Sequence, residues 1–120
     1  MNHFVDAFER GDVGKLVVLL ADDARVLMPP ESFEFRGRQA VVDHLYQTSS
    51  VWGQGLKLMP TRANGQPAFG SYAPDRSGTV YRASGIVVLT LTAGHISEMT
   101  SWWDPGLLAR FGLPDTITPS

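Results

Sequence analysis

The chain has no cysteine. A disulfide framework, a thiolate nucleophile and a thiolate-held metal are therefore excluded. No apolar run approaches membrane-spanning length. The opening residues, MNHFVDAFERGD, lack the apolar core of a secretory signal. The reading that follows is a cytoplasmic protein without membrane contact. Charge of one sign is missing too. Ten Lys and Arg stand against twelve Asp and Glu, for a net charge of −2, and the basic residues are scattered. Nucleic-acid binders and membrane-surface binders carry a basic run or stripe, so neither partner is expected directly. The three histidines and the carboxylates show no metal-ligand spacing, so no metal or other cofactor is expected. Internal repeats, low-complexity stretches and linkers are absent. The 120 residues read as one domain, 1–120.

What is present divides into a helical first half and a β-rich second half. Phe4, Val5 and Phe8 recur at helical spacing, and Gly11 ends that helix. Asp12 is an N-cap for a second helix with Leu16, Val17, Leu19 and Leu20 on its apolar face. Asp22-Asp23 closes it, and Ala24 to Met28 forms a short strand stopped by Pro29-Pro30. Residues 29–37 have no periodicity and read as a loop. Ala40, Val41, His44, Leu45 and Thr48 then share one face of a third helix.

From Leu56 the texture is β. Asn64-Gly65 joins two strands in a hairpin, and residues 74–78, PDRSG, make another turn. Thr79 to Thr92 is a long strand with Gly85 predicting a bend or bulge. Ala93-Gly94 turns into a last strand from His95 to about Trp103. In this strand Met99, Ser101 and Trp103 share one face, and Glu98, Thr100 and Trp102 the other. A glutamate belongs in water, so Met99 and Trp103 face inward and Trp102 outward, where a dimer interface would use it. The expectation is an α+β architecture: three helices on one face of a curved four-strand antiparallel meander.

Three local features carry a resemblance: GD between the first two helices, DDA before the first strand, and RGR at the start of the third helix. This order resembles the nuclear-transport-factor-2-like (cystatin-like) cone, the superfamily of ketosteroid isomerase, limonene epoxide hydrolase and the SnoaL-like polyketide cyclases. Two further blocks, PTRANGQPAFGSY at 60–72 and DPGLLARFGLP at 104–114, resemble the SnoaL-like domain at the C-terminus of extracytoplasmic-function sigma factors. The resemblance implies an apolar pocket inside the cone and a homodimer through the outer sheet face. Its ligand would be a small apolar or aromatic molecule. The pocket walls would come from Phe4, Phe8, Met28, Phe69, Tyr72, Met99 and Trp103, with Phe33 and Trp52 as lid residues.

Matched onto ketosteroid isomerase-like proteins, the tyrosine, the base aspartate and the protonated aspartic acid fall on Phe4, Met28 and roughly Ile86. All three are apolar, so that constellation is missing. An Asp-Arg-Asp relay of the epoxide-hydrolase type is not evident among Arg62, Arg76, Arg82, Asp75, Glu98 and Asp104. A SnoaL-like cyclase would use Asp104 as base, with Tyr81 holding an oxyanion and His44 shuttling a proton. Each has a plainer role. Asp104-Pro105 is equally the N-cap and first residue of a helix, Tyr81 a cross-strand packing residue, and His44 a boundary residue. Arg62 reaches either the pocket rim or solvent. Three functions stay open: an acid-base isomerase, cyclase or hydratase; a ligand-sensing or protein-interaction module; and a structural dimerisation domain.

Overall fold

The computed structural model describes residues 2–29, 34–52, 55–63 and 65–118, excepting the side chains of 2 and 50–52. Helix α1 (Asn2–Arg10) presents Phe4, Ala7 and Phe8 to the interior and ends at Gly11, whose φ of 69° only glycine adopts without strain. Asp12 caps α2 (Val13–Leu19), its carboxylate accepting the Lys15 amide at 3.2 Å. The second helix is shorter than its apolar spacing predicts. Leu20 already has extended backbone and opens β1 (Leu20–Leu27), because pairing with the last strand outweighs one more helical turn. Residues 34–36, read as loop, form β2 (Glu34–Arg36) antiparallel to β1. The third helix, α3 (Arg38–Trp52), runs on past Thr48.

The remaining strands are β3 (Lys57–Ala63), β4 (Gln66–Pro74), β5 (Tyr81–Thr92), β6 (His95–Trp102) and β7 (Thr116–Ile117). A 3-10 helix (Pro105–Phe111) lies between the last two. The sheet order is β2-β1-β6-β5-β4-β3, with β7 on β5. This corrects the purely antiparallel expectation, since β1 runs parallel to β6, with Leu20 opposite Ile96 and Val26 opposite Met99. Parallel neighbours need a long crossover, and here α3 and the β3–β5 meander supply it.

Two bulges shape β5 and β6. Ser71 pairs with Gly85 but Tyr72 with Ala83, so Ser84 is an extra residue. Its hydroxyl donates to Ser71 at 3.0 Å. Gly85 beside it is required by a close approach. A Cβ there would collide with the Trp102 carbonyl oxygen and come within 3.0 Å of Trp103 Cα. In β6, Thr90 pairs with Glu98 and Leu91 with Ile96, leaving Ser97 as the extra residue. That shift turns Ile96 and Met99 both inward while Glu98 points out, where Arg25 meets it at 2.8 Å.

The sheet therefore has two covered faces. The three α-helices pack on the inner one, burying Leu58, Phe69, Val87, Leu89, Ile96 and Met99. The 3-10 helix and the tail cover the outer one, over Ala68, Tyr72, Ile86 and Val88, with Leu108 fully buried between them. Trp102 packs against this cluster and is only half-buried. The outer position expected for it is observed, and its own chain covers the part of that face over β4 and β5.

Candidate functional site

Helix spacing on α3 and strand alternation on β1 and β6 aim their side chains at one point on the inner face. Phe8 comes from α1, Val26 and Met28 from β1 and its end, and His44, Leu45 and Thr48 from successive turns of α3. Met99, Ser101 and Trp103 come from β6 and the residue after it. Together they line a partly open cavity of about 130 Å³ whose walls are overwhelmingly apolar. Trp103 is 46 % exposed, which places its indole at the mouth.

The polar groups here are few. The Thr48 hydroxyl donates to the His44 backbone carbonyl at 2.8 Å, a back-bond within the helix. The His44 ring stacks on Phe35, with centroids 4.2 Å apart and 23° between planes. Burial pulls its pKa below the ordinary histidine value, because desolvation disfavours the imidazolium. The imidazole is therefore neutral at pH 7. Ser101 is 6 % exposed and faces the same space. No Asp, Glu, Lys or Arg lines the cavity among the described residues. No cluster of His, Asp and Glu among them could hold a metal ion.

Residues 1–99 match the family model of the SnoaL-like domain. The chain belongs to that family. Over 115 residues it is 34 % identical to the ECF RNA polymerase sigma factor SigG of Mycobacterium tuberculosis, covering 95 % of this chain. The chain spans about 30 % of the length of that relative. Solved structures share the fold. An uncharacterised Silicibacter pomeroyi protein with a cystatin-like fold superposes with a TM-score of 0.66 at 19 % identity, over 84 % of this chain and 70 % of the other. A Kribbella flavida protein named as a candidate ketosteroid isomerase gives 0.62 at 20 % identity, over 86 % and 73 %. An NTF2-like protein of Cytophaga hutchinsonii gives 0.62 at 14 %, over 84 % and 94 %.

Within this SnoaL-like domain the expected site residues separate into three groups. Phe8, Met28, His44, Met99 and Trp103 converge on the cavity. Phe4 and Phe69 lie beneath it in closed core, their rings 5.4 Å apart and Phe4 also 5.6 Å from Phe8, so they support the wall without lining it. Tyr72, Tyr81 and Asp104 lie elsewhere. Tyr72 belongs to the outer cluster, where its hydroxyl donates to the Pro114 carbonyl at 2.8 Å. Burial, and secondarily the charge of Asp115, raise its pKa. Tyr81 joins the same cluster and pairs with Ile117 of β7. Asp104 is exposed and accepts the Gly106 amide at 3.0 Å, with Pro105 beginning the 3-10 helix and Gly112 ending it at φ 73°. The carboxylate caps that helix and is not part of the cavity lining, because it shares the outward parity of Glu98 and Trp102 and follows the end of β6.

Phe33 and the Trp52 side chain lie outside the described residues. Arg62 is exposed and donates to the Gly65 carbonyl at 3.2 Å, away from the cavity. Four lining residues were not picked as site residues: Val26, Leu45, Thr48 and Ser101. Their signals were present. Ser101 shares parity with Met99 and Trp103, Val26 shares parity with Met28, and Leu45 and Thr48 share the His44 face.

Proposed function

We propose that this SnoaL-like domain is a binding module that senses a small, mostly apolar molecule in the cavity beneath Trp103. One observation carries the reading: the described lining is apolar with a single neutral imidazole and no carboxylate, while Asp104 is engaged at a helix cap. Proton abstraction from carbon wants a base and an oxyanion donor around one substrate atom. Binding needs only the shaped space. The likeness to a sigma factor supports a regulatory setting in which ligand occupancy alters contacts made by the domain surface. A homodimer through the outer sheet would meet the ion-paired strip of Arg25, Glu34, Arg36 and Glu98.

A second reading has one observation in its favour. His44 is a neutral imidazole lining a mostly apolar cavity, which is the state a general base requires. In that case the domain is an acid-base isomerase, cyclase or hydratase. One experiment separates the two. Small apolar compounds are titrated into the protein by NMR, and any that bind are followed for solvent deuterium exchange at carbon. Binding without exchange is expected. Exchange that disappears in His44→Gln while binding persists would move the assignment to the enzyme, and absence of binding would remove both.

A further inference from the structure

The geometry points to a ligand of one chemical class: an uncharged, single-ring aromatic carrying one hydroxyl, a phenol, with its ring among Phe8, Met28, Met99 and Trp103 and its hydroxyl toward His44 and Ser101. This assignment rests on the binding-module reading above and narrows it. Size is the first constraint. An apolar cavity of about 150 Å³ holds benzene, whereas drug-sized ligands occupy about 300–1,000 Å³. At about 130 Å³ the space fits one six-membered ring and excludes a fused polycycle.

The walls supply the second constraint. Two thioethers and two aromatic side chains surround the space, and sulfur-to-ring and ring-to-ring contacts favour an aromatic occupant over an aliphatic one of equal size. The third constraint comes from two polar groups without partners. Neither the His44 ring nitrogens nor the Ser101 hydroxyl has a hydrogen-bond partner among the described residues. The Phe35 ring stacks on one face of the imidazole and so leaves its nitrogen-bearing edge available. A neutral imidazole offers one donor and one acceptor, and a serine hydroxyl can do either, which matches a hydroxyl that both gives and takes a hydrogen bond. The fourth constraint is charge. With no Lys or Arg among the described lining and His44 kept neutral by burial, a carboxylate ligand would be buried unpaired.

The test is an NMR titration of the intact chain with benzene, phenol, benzoate and 2-naphthol, repeated in Ser101→Ala and in His44→Phe, which keeps a ring against Phe35. Phenol should bind about tenfold tighter than benzene, the worth of one good hydrogen bond. Benzoate and 2-naphthol should bind more weakly than phenol. Both variants should lose the phenol preference and keep their affinity for benzene. If benzene binds and phenol binds no tighter, or benzoate or 2-naphthol binds best, the phenol assignment is overturned and the apolar pocket stands. A phenol preference that survives in Ser101→Ala and in a folded His44→Phe would overturn the placement of the hydroxyl. If none of the four compounds binds, the binding-module reading fails with it.

Discussion

The two faces of one sheet are filled differently. On the inner face, three α-helices pack on a curved surface, and between Phe8, His44 and Met99 they leave a space of about 130 Å³. On the outer face, a short 3-10 helix and an irregular tail follow the curve closely. There Leu108 is fully buried, and a Cβ on Gly70 would come within 2.6 Å of Leu113. A rod can match a bent sheet only along part of its length, whereas a segment without a fixed axis can adapt residue by residue. The contrast leaves the open space on the helical side and the close packing on the tail side.

Leu108→Ala should have the largest effect, costing about 3 kcal/mol in urea unfolding, because a buried side chain is removed where the surroundings are already close-packed. Affinity for a cavity ligand should not change. A smaller effect, and the most direct test of the contrast, comes from adding volume on each side. Ala68→Leu on the outer face should cost about 2 kcal/mol by overpacking, while Val26→Leu at the cavity should cost less than about 1 kcal/mol and weaken ligand binding. Equal costs would mean that the inner face is as full as the outer.

Next is the cap. Asp104→Ala should lower stability by about 1 kcal/mol, and Asp104→Asn should be nearly neutral, with ligand affinity unchanged in both. Lost affinity in the asparagine variant would return the carboxylate to the site. The smallest effect concerns pH. The folded state holds the His44 pKa below its unfolded value of 6.5, so the unfolded chain binds more protons as the solution acidifies. The contribution of this residue to stability is whole above pH 6.5 and is lost as the pH falls through the folded value. Urea midpoints between pH 7.5 and about pH 5, with 6.5 as the reference pKa, should therefore drop less steeply in His44→Phe than in the parent chain.

Much of the fold was legible because its signals are local. The Asp12 and Asp104 caps, the hairpin turns and the Gly85 bulge each depend on residues within a few positions, and each is where the pattern puts it. Alternation in β6 separated Met99 and Trp103 from Trp102 and Glu98 correctly. Readings failed where partners are distant in the chain. Leu20 leaves its helix for Ile96, and residues 116–117 return to pair with Tyr81 and Arg82. No short window contains those pairings. The candidate site divides the same way. Parity and helical spacing brought His44 and Met99 into view, but only the assembled sheet shows that Tyr72 and Tyr81 belong to the other face and that Asp104 caps the 3-10 helix.

The parallel pairing of β1 with β6 sets the order in which this domain can be made. While the chain is being synthesised, α1, α2 and β1 emerge long before Ile96 and Met99 exist, and until then β1 has only β2 as a strand neighbour. Contacts so distant in sequence slow folding, because the intervening loop must close before they contribute. The domain should therefore acquire its structure in one late step, after the last strand has left the ribosome. A fragment ending before β6 should remain unfolded and vulnerable to proteases.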